Sequence, residues 1–230
     1  MTLTPDDWIA VRLSLKVAAV AALASLPFAI ATAYALARGR FPGRAVLDGI
    51  VHLPLVLPPV VTGYLLLLAF GRRGPAGATL ESCCGIVFSF RWTGAALAAA
   101  VMAFPLAVRT IRLSIEAVDF RLEQAASTLG ANAAWVFATV TLPLALPGVF
   151  AGLILAFAKA LGEFGATITF VAAIPGETQT VPAAIYAYTQ VPGGESGALR
   201  LTLVAVAIAL AAVIASEVLT RRVPGAGRLS

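Results

Sequence analysis

Charge is scarce in this chain: 12% of its 230 residues are Asp, Glu, Lys or Arg, and only two are lysines, Lys16 and Lys159. A soluble domain carries about 25% charged residues. Neither lysine stands in a G-x-x-x-x-G-K-[ST] loop, so the chain does not bind ATP in that way, and any ATP-driven function requires a second polypeptide. Cysteine is confined to the neighbours Cys83 and Cys84. Adjacent Cα atoms about 3.8 Å apart are too close for an unstrained disulfide, so both read as plain small residues. The single histidine is His52, and no metal site or cofactor is expected.

Soluble segments are equally scarce. With 60% hydrophobic residues and a mean hydropathy of +0.94, the chain lies outside the range of ordinary globular domains. Its apolar residues form five runs, over 17–36, 50–70, 90–108, 148–171 and 199–219. About 20 apolar residues in a helix rising 1.5 Å each cross a hydrocarbon core about 30 Å thick. The chain is therefore expected to be an all-α integral membrane protein with about five spans, one membrane domain over 1–230. The third run is the weakest, with Arg91 at its start and Pro105 near its end. The start, Met1-Thr2-Leu3-Thr4-Pro5-Asp6-Asp7, lacks the basic stretch and A-x-A site of a cleaved signal, so the first helix is expected to be retained.

Positive residues favour the cytoplasmic side of a membrane. With the N-terminus outside, the inner segments hold Arg38, Arg40, Arg44, Arg109, Arg112, Arg121, Arg221, Arg222 and Arg228, while the outer ones hold Arg72, Arg73 and Arg91. Arg12, Lys16 and Arg200 at helix ends count against this orientation. Residues 172–198 carry Glu177 and Glu195 but no Lys or Arg and belong outside. The N-terminus is thus expected outside and the C-terminus in the cytoplasm. Net charge is +5, yet the basic residues are spread over loops without interleaved aromatics, which points to anionic lipid and topology rather than nucleic acid.

The cytoplasmic segment 109–143 is too patterned for a passive linker. Leu122, Ala125, Ala126 and Leu129 recur at helical spacing, Gly130 can turn the chain, and Trp135, Val136, Phe137 and Val140 resume an apolar face before Pro143. The pattern predicts two short helices meeting at Gly130. Such a unit suits docking into a groove of a partner or lying on lipid, and pattern alone leaves both open.

Gln124-Ala125-Ala126, Gly130, Val140, Leu142 and Pro143 occupy the spacing of the coupling motif of ABC importer permeases, E-A-A, three residues, G, nine residues, I-x-L-P, which this chain therefore resembles. Gln124 stands where the family writes Glu, with Glu123 one residue earlier, and Val140 replaces Ile. Residues 161–168, Leu-Gly-Glu-Phe-Gly-Ala-Thr-Ile, resemble the molybdate and sulfate permease group. Ile174-Pro175-Gly176-Glu177-Thr178, Val181 to Tyr186, and Pro192 to Gly197 are similar to molybdate members, as are Arg40 to Gly43 and Leu53 to Tyr64.

The resemblance implies the type I importer permease fold. It also implies a homodimer joined to two cytoplasmic ATPases, a periplasmic or surface-tethered molybdate-binding protein, and import by alternating access across the cytoplasmic membrane. A permease for sulfate, tungstate or another oxyanion is the alternative.

Within the spans, Lys159 and Glu163 are costly ionisable groups four residues apart, expected on one helix face in the weaker Lys-before-Glu order. A structural pair and a pair that lines the pathway both remain open. Gly162, Gly165, Thr167 and Thr169 suit either tight helix crossing or an anion passage. Pro54, Pro58 and Pro59 predict a kink or unwound turn in the second span, as a static irregularity or a hinge.

Two rivals come from other classes. Gly194-Glu195-Ser196-Gly197 with His52 would suit an intramembrane serine protease, but the two residues are expected at opposite membrane faces. A secondary transporter would carry buried carboxylates in several spans and an internal repeat, whereas only Glu163 qualifies.

Overall fold

The computed structural model describes residues 3–222; Met1, Thr2 and Arg228 lie outside the described residues, as do the side chains of Arg221 and Arg222. All regular structure among them is helical. Helix α1 runs from Pro5 to Arg38, well ahead of the apolar run that begins at Val17. A capping box starts it early: the Thr4 hydroxyl accepts from the Asp7 N–H at 3.2 Å, the Asp7 carboxylate accepts from the Thr4 N–H at 2.9 Å, and Pro5 occupies the first helical position. Its 34 residues span about 51 Å, so α1 tilts in the bilayer or extends beyond it.

The expected second span is two helices, α2 (Arg44–Val56) and α3 (Pro59–Phe70), bent by 115°. Leu57 and Pro58 each precede a proline and are extended, with ψ of 142° and 134°, because a following proline ring disfavours the helical region. Pro54 is absorbed within α2. The break therefore belongs to the Pro58–Pro59 pair. Helix α4 (Pro75–Cys84), 10 residues and too short to span a bilayer, comes next.

Helix α5 (Trp92–Glu116) is the centre of the bundle and carries Pro105 buried without a break. Its alanines 95, 96, 98, 99, 103 and 107 share one buried cluster with the alanines of α1, among them Ala18, Ala21, Ala29 and Ala33, all at or below 5% exposure. Small side chains let these backbones approach, which replaces the hydrophobic drive that lipid removes. Gly152 continues this on α8, where a Cβ would stand 2.9 Å from Ile111.

Helix α6 (Phe120–Thr128) is the first helix of the motif segment. The second, α7 (Ala133–Val136), does not stand alone: it runs through a π-turn, Phe137–Thr141, into α8 (Leu142–Leu161). Pro143 directly follows the π-turn, where the bonding is already shifted from the α pattern, so its missing N–H does not stop the helix. The fourth span is accordingly Ala133–Leu161, and 148–171 is not one helix. It breaks after Leu161, and a separate helix α9 (Gly165–Val171) packs across α3. At that crossing a Cβ on Gly63 would lie 2.5 Å from the Ala166 carbonyl oxygen and 2.9 Å from the Thr169 Cβ.

Residues 172–198 hold a further helix, α10 (Val181–Thr189), before α11 (Glu195–Arg222). This segment is tied to the start of α1. The Ser14 hydroxyl accepts from the Val181 N–H at 2.7 Å, and Tyr188 donates to the buried Asp7 carboxylate at 2.9 Å, with Arg200 at 3.6 Å. Arg38, at the other end of α1, meets α6. The start of α1 and residues 172–198 thus share one end of the bundle, and the motif segment occupies the other. Among the described residues, four helices are long and apolar enough to cross a membrane, five if the bent α2–α3 pair counts as one span.

Candidate coupling surface and intramembrane break

Asp119 caps α6 by accepting from the Arg121 N–H at 2.9 Å. At the other end Gly130, with φ of +90°, donates to Ser127, and the Ala131 N–H donates back to Ala126 at 3.2 Å. This pairing closes a helix through a residue in the left-handed region, which glycine enters without a Cβ penalty. Asn132 then caps α7 by accepting from the Trp135 N–H at 2.9 Å.

Glu123 faces inward. The Arg38 guanidinium donates to both its carboxylate oxygens, through Nε at 3.1 and 3.2 Å and Nη2 at 3.0 Å, and Nη2 also donates to the Val118 carbonyl at 2.8 Å. The buried Thr141 hydroxyl, in the π-turn, donates to Glu123 at 3.0 Å. One carboxylate thereby ties α6 to the end of α1 and the start of the fourth span. Because it is used within the chain, Glu123 does not replace the charge missing at exposed Gln124.

The outward face is apolar. Leu122, Ala125, Leu129 and Trp135 are exposed, Leu129 to 89%. Ala126, Leu129, Gly130, Asn132, Trp135 and Thr139 line a groove of about 470 Å³. Of the remaining motif positions, Val140 and Leu142 are half-buried in the π-turn and first turn of α8, and Pro143 is exposed.

The second locus is the α8–α9 break. Lys159 and Glu163 do not share one helix face: Lys159 lies in the last turn of α8, Gly162 caps that helix, and Glu163 stands in the break. Their contact is nevertheless formed, with Nζ donating to Oε2 at 3.3 Å. The weak in-helix orientation does not apply, because each charge sits at the helix end that favours it, ammonium at the C-terminal end of α8 and carboxylate before α9. The Glu163 Oε1 also accepts from the Ala166 N–H at 3.0 Å, so it takes a backbone donor that a continuous helix would have used. Thr167 donates to the Phe164 carbonyl at 2.8 Å and Thr169 to Gly165 at 2.9 Å. Both hydroxyls are thus satisfied within α9, and Gly165 packs on Pro59, where a Cβ would stand 2.7 Å away.

The Glu163 carboxylate therefore holds the break, with a stability consequence. In Glu163→Ala the Ala166 N–H and the ammonium lose their partner, and melting of the detergent-purified protein should report a loss of about 2 kcal/mol. Glu163→Gln keeps an acceptor for Ala166 and should lose less. Equal melting of all three proteins would contradict this role.

His52 and Ser196 remain apart. The His52 Nδ1 lies 2.8 Å from the Asp48 carbonyl on α2, and Asp48 binds Arg112 at 3.2 Å near the motif end, whereas Ser196 is in the first turn of α11 at the opposite end. Sequence reasoning missed Arg38 and Thr141 as partners of Glu123. Arg38 counted only as a topological charge, and no local spacing links residues 85 positions apart.

Residues 12–224 match the family described as binding-protein-dependent transport system inner membrane component. Over 221 residues the chain is 60% identical to the molybdenum transport system permease protein ModB of Escherichia coli (strain K12), covering 96% of each. It is 57% identical over 213 residues to ModB of Haemophilus influenzae, covering 93% of each. A chain in the crystal structure of a bacterial alginate ABC transporter, in complex with an alginate pentasaccharide-bound periplasmic protein, has a TM-score of 0.75. The match covers 95% of this chain and 80% of that one at 16% identity, a likeness of fold.

Proposed function

The chain belongs to the family of binding-protein-dependent transport system inner membrane components, and from that premise we propose that it carries molybdate inward as the membrane subunit of an ATP-driven importer. The observation that carries the substrate is the 60% identity to a molybdenum permease over 96% of both chains. As a member of this family it is a multi-pass inner-membrane transport subunit.

In this reading 1–230 is one membrane domain, 109–143 the cytoplasmic coupling segment and 172–198 the outer loop. The N-terminus faces outward. The exposed face of Leu122, Ala125, Ala126, Leu129 and Trp135 seats in a cleft of an ATPase, one for each of two copies of this chain. Docking is favoured over lipid contact because polar Asn132 and Thr139 line the groove beside Leu129 and Trp135, as a protein groove tolerates and a lipid surface does not. A binding protein delivers the anion from the side of 172–198.

ATP-driven closure of the ATPases pushes α6. The Glu123 carboxylate passes that displacement to Arg38 on α1 and Thr141 at the root of α8, and the helices swing between inward-open and outward-open. The bent α2–α3 pair and the α8–α9 break supply the irregular backbone such a change requires. With its ammonium and carboxylate joined, the Lys159–Glu163 pair presents a nearly neutral surface, so a dianion passing Thr167 and Thr169 meets neither strong attraction nor strong repulsion.

The test is uptake of radiolabelled molybdate into proteoliposomes holding this chain with its ATPase and binding protein. Uptake should require ATP and all three components. Uptake without ATP or without any partner would sink the proposal.

A further inference from the structure

We infer that the pocket between the end of α3 and the start of α5 is an outer receiving site for a tetrahedral oxyanion, built on Arg72, Arg73 and Ser89. The inference rests on the reading that this chain takes an oxyanion from the side of 172–198. The pocket is at that end of the bundle. A Cβ on Gly94, in the first turn of α5, would meet Val171 at the end of α9, 2.7 Å away, and Phe70 packs edge-on to Phe88 at 5.9 Å.

Four observations carry it. First, the pocket has a volume of about 380 Å³ and is lined by both arginines and Ser89, room for a small anion with part of its hydration shell. Second, Ser89 is only 6% exposed and its hydroxyl has no hydrogen-bond partner, an arrangement that costs stability unless a ligand or water completes it.

Third, residues 71–91 contain three arginines, Arg72, Arg73 and Arg91, against one acid, Glu81. Glu81 reaches Arg72 only at 4.0 Å, both side chains being exposed, and no carboxylate among the described residues lies within 4 Å of Arg73 or Arg91. Fourth, with the end of 172–198 outward, as that reading has it, this positive charge opposes the topological bias, so membrane insertion does not account for it.

Guanidinium forks match the oxygens of a tetrahedral dianion, and a buried hydroxyl adds a donor that a diffuse surface patch lacks. The site would hold the anion between its release by the binding protein and its entry past the α3–α9 crossing. Its attraction is electrostatic and falls with salt.

The experiment uses the full chain in phosphatidylcholine nanodiscs, with thermal unfolding followed in molybdate, sulfate or chloride at equal ionic strength. Wild type should be stabilised by the two dianions and not by chloride. Arg73→Gln should weaken the apparent anion affinity roughly tenfold, as for one charged hydrogen bond. Ser89→Ala should melt no lower than wild type without anion, since it removes an unpaired hydroxyl, yet should lose part of the anion-induced shift. Arg44→Gln, at the opposite end, should retain it.

No dianion shift in wild type, or an undiminished shift in both pocket variants, overturns the inference. Stabilisation through Arg73 by phosphatidylglycerol nanodiscs but not by free dianions would assign the pocket to a lipid phosphate and overturn it equally. Wild-type molybdate uptake, measured separately, fails only if the transport reading itself is wrong.

Discussion

Replacing Glu123 with alanine is expected to lower the stability of the protein by about 3 kcal/mol, the range for a buried ion pair that loses one partner. Arg38 and Glu123 have side-chain exposures of 18% and 8%, so the guanidinium left behind is largely desolvated. It keeps only the Val118 carbonyl, and Thr141 keeps no acceptor from Glu123. The value is placed at the lower end because Arg38 retains some access to solvent.

The loss should appear as a lower melting temperature in detergent and as reduced ATP-dependent uptake, because α6 is no longer fastened to α1 and α8. Glu123→Gln should fall between the two. In Arg38→Met/Glu123→Leu the stability should recover more than uptake, since apolar replacement removes the stranded charge without restoring the link. Unchanged melting of Glu123→Ala would show that the carboxylate fastens nothing.

Gly130→Leu should reduce ATP-driven uptake about tenfold or more while the protein still inserts. At φ of +90° a side chain costs about 1–2 kcal/mol in backbone strain, enough to displace the turn in most molecules. A Cβ at this position meets no atom within 4 Å, so the chain itself does not reject a larger residue. The leucine would instead project at the exposed groove of Leu129, Asn132 and Trp135. Gly130→Asn, which tolerates the left-handed region better, should retain more uptake. Normal uptake in Gly130→Leu would remove the ground for docking at this surface.

The motif segment was readable because its information is local. Helical spacing from Leu122 to Leu129 and a glycine that turns the chain both act within a few residues, and each is found in place. Its second half was misread as a separate short helix because Pro143 resembles a stop, although a proline that follows a π-turn need not end the helix. The Pro58–Pro59 break was legible for the same local reason. Its angle of 115° was not, since a proline removes a hydrogen bond without specifying the direction the chain takes.

Hydropathy overreached at 148–171. Gly162, Glu163 and Phe164 interrupt too little apolar character to register, yet a single carboxylate accepting the Ala166 N–H separates α8 from α9. In the opposite direction, α1 extends beyond its apolar run because capping chemistry, not hydropathy, decides where a helix starts.

Composition and local pattern by themselves determined that the chain is helical and lies in lipid, which segments are apolar, where the motif turn falls, and that neither lysine stands in a G-x-x-x-x-G-K-[ST] loop. These depend on transfer of side chains from water to lipid and on backbone chemistry over one or two turns. Only the tertiary structure decided that Glu123 is spent on Arg38 and Thr141 rather than offered to a partner, that Lys159 and Glu163 meet across a break, and that Ser89 lines a pocket with Arg72 and Arg73. Those facts depend on which helix faces meet. That is settled by close packing of alanines and glycines from distant segments, for which neither spacing nor charge leaves a mark in the chain.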